Sequence, residues 1–295
     1  VHSATTSSRP RRPSSSPDVQ SIIDDESGDS PRVIPLTGAT NFRDLGGHAA
    51  GDGTVRTGEV YRSGRLPGLT DDDVATLERL GIKTVVTLLT ADDVEEYRPD
   101  RLPTGARLVE LPIDSEAATQ LATRARDALA SGDFSSIPPE LNLEIHRLLV
   151  VEGREQYARL LRLIADPANR PLVFHCSHGV HRTGTGAAIL LSALGVDWAT
   201  ARRDYLTSNE VRAAEVGMRL EHVRAAAAKA RGVAPDDIDM TNMEAFMVQD
   251  GSYLDASRDQ MVADFGSVDA YLREGLGLGD AEIEELRVQL VETDQ

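Results

Sequence analysis

The run Pro171-Leu-Val-Phe-His-Cys-Ser-His-Gly-Val-His-Arg-Thr-Gly184 constrains this chain more than any other stretch of it. Leu172 to Phe174 reads as a buried strand, and Ala187 to Leu194 as an apolar helix opened by Thr183 and Gly184. The tight loop between them holds the one cysteine of the sequence, Cys176, and then Arg182. A loop entering a helix leaves several backbone N–H groups without intrahelical partners, at the positive end of the helix dipole. Such a place holds anions. A cysteine set there ionises near neutral pH, and the thiolate is a nucleophile. Arg182 adds a fork of donors matched to two oxygens of a phosphate. Gly179 lets the backbone turn close to the anion. Together these parts describe in-line attack of sulfur on a phosphorus that the loop holds.

The rest of the composition narrows what surrounds this loop. The 295 residues allow one large domain or two small ones, and one catalytic constellation is visible. A net charge of −17 argues against nucleic acid as a partner and against docking on an anionic membrane. Phosphate must therefore be drawn by local donors. A single cysteine excludes an internal disulfide and an internal resolving thiol. The longest apolar run, around Ala187 to Val196, is too short to insert across a bilayer. Lys83 and Lys229 are the only lysines among many arginines and alanines, a composition that suggests a bacterial, high-GC source. Residues 1–32 are rich in Ser and Pro and poor in apolar groups, and read as a disordered tail. Arg11-Arg12 is followed by Pro-Ser-Ser-Ser-Pro and not by an apolar run, so no export signal is read there and the expected location is cytoplasmic.

From Val33 the pattern is α/β, with residues 33–295 expected to form one catalytic domain. Thr70 to Leu80 carries a capping Thr, three aspartates in its first turn and a following Gly81, the marks of a helix. Lys83 to Leu89 reads as a buried parallel strand and Arg107 to Leu111 as another. Thr54 to Tyr61 reads as a short strand or hairpin. Helices are expected over Asp92 to Tyr97, Glu116 to Ala130, Glu140 to Val151 and Arg154 to Ala165. Beyond the loop helix come Trp198 to Asn209, Glu210 to Arg231, Tyr253 to Phe265, Val268 to Arg273 and Asp280 to Val291. Strands alternating with helices indicate a small, mostly parallel sheet flanked by many helices, with the site at the strands' carboxyl ends.

His175-Cys-Ser-His-Gly-Val-His-Arg-Thr-Gly184 resembles the phosphate-binding loop of cysteine-dependent protein tyrosine phosphatases. Asn41-Phe-Arg-Asp-Leu-Gly-Gly47 and Thr57-Gly-Glu-Val-Tyr-Arg-Ser-Gly64 resemble stretches of a bacterial branch of that family. The resemblance runs from about Val33 to near the C-terminus. It implies a tyrosine-phosphatase-like fold, a phosphocysteine intermediate on Cys176, and a cradle made by Ser177, His178, Gly179, Val180, His181 and Arg182. Thr183 is placed to donate to the sulfur. His175 would orient the loop. Arg43 and Asp44 would be structural, Asp44 pairing with Arg43 or capping a turn. No cofactor is implied. His48, His146 and His222 lack companions at metal-ligand spacing, so no metal is assigned.

The chain also departs from the family pattern. Relatives commonly read Asp-Leu-Arg where Thr87-Leu88-Leu89 stands, and Lys-Asp where Val180-His181 stands. The Lys-Asp pair accompanies phosphoinositide activity, so its absence counts against that activity here. The general acid needed for the leaving oxygen is consequently open. His181 could supply it, as could Asp92 or its neighbour Asp93, or Asp114. Met240, Met243, Phe246 and Met247 recur at helical spacing and read as core, the alternative being a lid over an apolar substrate. Three functions fit: a phosphatase for phosphotyrosine in phosphorylated proteins, a phosphatase for a small phosphorylated metabolite (a nucleoside or sugar phosphate), or a phosphate-binding module with little turnover. The oligomeric state is not set by the sequence.

Overall fold

A computed structural model describes residues 32–114, 116–138 and 140–293. Its first half contains β1 (Arg43–Asp44), β2 (Ala49–Ala50), β3 (Gly53–Val55), β4 (Val60–Ser63), α1 (Asp71–Arg79), β5 (Thr84–Thr87), α2 (Ala91–Tyr97), β6 (Arg107–Glu110), α3 (Glu116–Ser131), α4 (Leu141–Glu152) and α5 (Arg154–Ala165). The second half continues with β7 (Leu172–His175), α6 (His181–Leu194), α7 (Trp198–Val211), α8 (Ala213–Arg231), α9 (Thr241–Met247), α10 (Gly251–Phe265), α11 (Asp280–Leu290) and β8 (Val291–Thr293). The tail expected over residues 1–32 lies, except for Arg32, outside the described residues.

Strands β4, β5 and β7 are buried at every position, so both faces of their sheet must be covered. The main sheet runs β1-β4-β7-β5-β6. β4, β7, β5 and β6 are parallel, and β1 is antiparallel at the edge. The side-chain period of two splits the core. Val85 and Val173 face a smaller cluster with Leu77 of α1. Val86, Leu172 and Phe174 face a larger one with Leu190 of α6. Each of these buried side chains contributes roughly 1.5–3 kcal/mol relative to exposure. β7 is thereby held centrally, and the chain leaves its carboxyl end directly into the loop at Cys176.

α1 begins as the sequence indicates: Thr70 and Asp73 form a reciprocal capping box. Of the boundaries that differ from expectation, three bear on the loop and the sheets. The loop helix starts at His181, because the Gly184 N–H reaches the Val180 carbonyl at 2.7 Å and closes the first turn early. The stretch Thr54 to Tyr61 divides between β3 and β4, which lie in different sheets. The last helix stops at Leu290, and Val291–Thr293 pairs with β3 in a second, antiparallel sheet, β2-β3-β8. Gly53 makes that pairing possible: a Cβ there would stand 2.4 Å from the Glu292 carbonyl oxygen.

Candidate active site

The loop after β7 keeps its shape because its carbonyls are engaged from outside. The Cys176 carbonyl lies 3.3 Å from His175 Nδ1. The Ser177 carbonyl accepts from the Arg65 backbone N–H at 3.2 Å and from Arg65 Nη1 at 3.4 Å. Asn41 Nδ2 donates to the His178 and Gly179 carbonyls at 3.3 and 2.8 Å. Arg62 Nη2 adds a second donor to the Gly179 carbonyl, also at 2.8 Å. Carbonyls that point outward leave the N–H groups to face the middle of the loop. Gly179 has φ +66°, and a Cβ there would meet the Ser63 carbonyl oxygen at 2.5 Å, so only glycine fits.

Behind the loop sits a buried ionic cluster. Arg43 Nε donates to Asp204 Oδ1 at 2.9 Å, and Arg62 Nη1 donates to Asp204 Oδ2. Asn41 Oδ1 accepts from Arg43 Nη1, and Ser208 Oγ accepts from Arg43 Nη2 at 3.2 Å. Both arginines are fully buried. Burial and the charge of Arg43 push Arg62 down to about 10. Arg43 therefore pairs with Asp204, and of the two expectations for Asp44, pairing with Arg43 or capping a turn, the structure has the second. Asp44 ties two turns instead, accepting from the Gly46 N–H at 2.8 Å and the Gly58 N–H at 2.6 Å.

The Cys176 side chain is 3 % exposed. Burial raises its thiol pKa, but the charge of Arg182 and donors from Thr183 and Gly179 outweigh burial and hold the thiol below its ordinary value. Thr183, whose buried hydroxyl has no other hydrogen-bond partner among the described residues, lies beside the sulfur and helps to hold the thiol low. Arg182 is fixed from one side. Its Nη1 donates to Asp93 Oδ2 at 2.6 Å and to the Leu88 carbonyl at 3.1 Å. Among the described residues no acceptor takes Nε or Nη2, which leaves them for a ligand. Burial would raise Asp93, but the Arg182 hydrogen bond and charge prevail and keep it ionised below the usual carboxylate range. Asp93 also belongs to the capping box of α2. Its neighbour Asp92 is exposed on that helix. Of this adjacent pair, the structure brings Asp93 to the loop. Asp93→Ala is expected to lower kcat/KM by about 10–100-fold, through loss of a charge-assisted hydrogen bond of roughly 1.5–3 kcal/mol. Steady-state kinetics with one aryl phosphate would check it, and an unchanged kcat/KM would refute the positioning role.

His175 is fully buried, with Nε2 3.0 Å from Asp100 Oδ2, so its ring is anchored away from the thiol. Asp114 follows β6 with an exposed side chain. The N–H of its neighbour Ile113 reaches the Leu88 carbonyl at 3.3 Å, the same oxygen that Arg182 uses. The turn bearing Asp114 thus adjoins the loop mouth.

A cavity of about 110 Å³ opens over the sulfur. One wall is the loop itself: Cys176, Ser177, His178, Val180, His181 and Arg182. The other comes from the helices beyond: Arg212, Val216, Arg219, Phe246, Met247 and Gln249. Met240 and Met243 are core, whereas Phe246 and Met247 of the same stretch face the cavity. His181 is pushed down to about 4 by burial and by the charges of Arg212 and Arg182, and is neutral at pH 7. Beneath it, Tyr205 Oη donates to Gln249 Oε1 at 2.6 Å and lies 3.1 Å from His146 Nε2. His146, fully buried, stands edge-on to His181 at 5.4 Å. Among the described residues no group of His, Cys, Asp and Glu could hold a metal ion, and no helix is long and apolar enough to cross a membrane.

The sequence assigns no role to Asn41, Asp100, Asp204, Arg212 or Arg219, and it suggests Tyr61-Arg62-Ser63 near the pocket without placing it; the structure sets Arg62 against the Gly179 carbonyl. Asn41 and Arg62 lie inside the two stretches that resemble the family. The others carry no local signal.

The tyrosine phosphatase family profile matches residues 34–292. A Cupriavidus necator protein named as a putative tyrosine-protein phosphatase is 33 % identical over 250 residues, covering 83 % of this chain and 84 % of that one. The triple specificity protein phosphatase PtpB of Mycobacterium tuberculosis is 29 % identical over 280 residues, covering 86 % and 98 %. A tyrosine-protein phosphatase of Nostoc commune is 28 % identical over 240 residues, covering 81 % and 74 %.

Proposed function

The chain belongs to the tyrosine phosphatase family, and we propose that Cys176 is the nucleophile with which it cleaves phosphate monoesters. The observation that carries this reading is the lowered thiol at the centre of inward-facing N–H groups, beside the free edge of Arg182. The thiolate attacks phosphorus as the ester P–O bond breaks, and the leaving oxygen takes a proton. Charge spread over the equatorial oxygens is met by the loop N–H groups of Ser177 to Arg182 and by Nε and Nη2 of Arg182. Water then attacks the phosphocysteine, the P–S bond breaks, and the donors of Thr183 stabilise the departing thiolate.

Asp114 is the carboxyl we assign to the leaving oxygen, since its turn shares the Leu88 carbonyl with Arg182. Asp93 is committed to Arg182 by a charge-assisted hydrogen bond at 2.6 Å, so it does not turn to the leaving oxygen. His181 is a second reading. A bound phosphate dianion offsets the charges of Arg212 and Arg182, which would raise the ring from about 4 and let it take up a proton. Asp114→Asn should lower kcat/KM for a phosphotyrosine peptide by about 10²-fold. The same change should cost only a few-fold for an aryl phosphate with an electron-withdrawing group, whose leaving oxygen needs little help. If His181→Gln shows that pattern and Asp114→Asn does not, the assignment moves to His181.

Phosphotyrosine in a phosphorylated protein is the substrate that fits the apolar wall of Val216, Phe246 and Met247, against which an aryl ring can pack. A small phosphorylated metabolite without an aryl group gains nothing from that wall. Rapid quench with an aryl phosphate followed by mass spectrometry should find a phosphoryl group on Cys176. Turnover without that adduct would overturn the mechanism, and an adduct that never turns over would favour a binding module.

A further inference from the structure

We infer that Arg212 and Arg219 form a subsite for a second anionic group on the substrate, beside the phosphoryl group that the loop holds. This rests on the proposed phosphatase function and names the class of ester it acts on. Arg212, Val216 and Arg219 follow one another at helical spacing along the start of α8, and all three face the cavity. The Val216 N–H bonds the Arg212 carbonyl at 2.9 Å, so the helical turn is continuous across them. One helix face thus presents two guanidiniums flanking an apolar side chain, opposite the sulfur.

Arg212 is anchored by an ion pair to Glu215, and Arg219 by a neutral ring. Arg212 is 7 % exposed, lines the cavity, and gives its Nε to Glu215 at 3.2 Å. Arg219 Nη1 donates to His178 Nε2 at 2.9 Å. An acceptor nitrogen carries no proton, so that ring is neutral. Burial first, then Arg212, Arg219 and Arg65, hold His178 well below its ordinary value. Among the described residues no carboxylate stands at ion-pair distance from Arg219. In a chain of net charge −17 a cation beside a cavity, paired only with a neutral ring, is an unusual choice. An anion on the ligand completes it. Arginine suits this role, because its fork meets carboxylate or phosphate oxygens in pairs. Arg182 is already committed to the reacting phosphate and Asp93, so the α8 pair serves a different group. The cavity is small, about 110 Å³, so that group lies close to the scissile phosphate. The ligand is an ester with a carboxylate or second phosphate near its phosphoryl group, as in an acidic phosphotyrosine peptide or a small bisphosphate.

The test compares two phenyl phosphates, one with a meta carboxylate and one with the uncharged carboxamide of the same shape. At low salt the carboxylate should win in kcat/KM by about tenfold, and the advantage should shrink as ionic strength rises. Arg219→Gln should bring the ratio to within about twofold, and Arg219→Lys should restore part of it. Arg212→Gln reports on the second cation in the same way. A ratio near one for the wild type at low salt overturns the proposal. So does a tenfold ratio that neither glutamine variant alters. If neither ester forms a phosphocysteine, the phosphatase function itself has failed, which is a different result. Acidic against neutral phosphotyrosine peptides, and a sugar bisphosphate against its monophosphate, then tell which source brings the second anion.

Discussion

Cys176→Ser is expected to lower kcat by ~10⁴-fold or more while phosphate binding stays as tight or becomes tighter. The serine hydroxyl is a far weaker acid than the thiol, and nothing in the loop would ionise it near neutral pH. The donors that hold the thiol low are one guanidinium, a hydroxyl and two backbone N–H groups. They suffice for sulfur and not for an alcohol. The cradle itself is untouched, because its carbonyls are tied by Asn41, Arg62 and Arg65 and not by the sulfur. Removing a thiolate also removes a negative charge from beside an incoming dianion, which is why affinity should not fall. Calorimetry with inorganic phosphate and stopped assays with an activated aryl phosphate would measure both. Residual turnover within tenfold of the wild type would mean that sulfur is not the nucleophile. A variant that is inactive and also blind to phosphate would mean that the sulfur helps to build the cradle, and that the outside donors do not hold its shape alone.

The loop, its strand and its helix are legible in the sequence because their signals are local. An apolar run, a cysteine, a glycine and an arginine at fixed offsets say what they do without reference to the rest of the chain. Strand β5 and the capped helix α1 are readable for the same reason: each carries its own pattern of burial and end signals. What escapes is what depends on contact across the fold. Asp204 lies on α7, far in sequence from Arg43 and Arg62, and a single acid on a helix looks like surface until two arginines are found against it. Asp93 and Asp92 are adjacent and chemically equal, and only the capping geometry of α2 decides which one turns toward Arg182. Strand β8 reads as the end of a helix because its partner, β3, lies at the other end of the chain. The cationic face of α8 is invisible for a related reason. Arginines are the common basic residue throughout this sequence, so composition holds no hint that two of them converge on the cavity.

Asp204→Ala is expected to destabilise the fold by about 3–5 kcal/mol, because it leaves two buried guanidiniums facing each other without their shared carboxylate. A domain of ordinary stability has roughly 5–15 kcal/mol in all, so this is a large share. The native pairing is close, with Arg43 Nε at 2.9 Å and Arg62 on the other oxygen. Burial would raise Asp204, but Arg43 and Arg62 together hold it far below the ordinary carboxylate value. The sign of the pH dependence follows. A carboxylate whose folded pKa is depressed contributes fully above its unfolded value, and the contribution is lost as pH falls from there toward the folded one. The wild type should therefore lose its advantage over Asp204→Ala progressively below about pH 4, and keep it undiminished at neutral pH. Urea unfolding at pH 7 and pH 3 would read both. The loss should also reach the active site, since Arg62 holds the Gly179 carbonyl outward at 2.8 Å. Without Asp204 to orient it, that peptide is freer to turn, and the neighbouring N–H would leave the cradle. Phosphate affinity of the folded fraction should fall as well. Asp204→Asn, which keeps the shape and one acceptor but not the charge, should lie between the wild type and the alanine variant on both scales. If Asp204→Ala unfolds like the wild type at pH 7, the cluster is not held together by its charge, and the orientation of the Gly179 carbonyl rests on Asn41 and not on a charge-fixed Arg62.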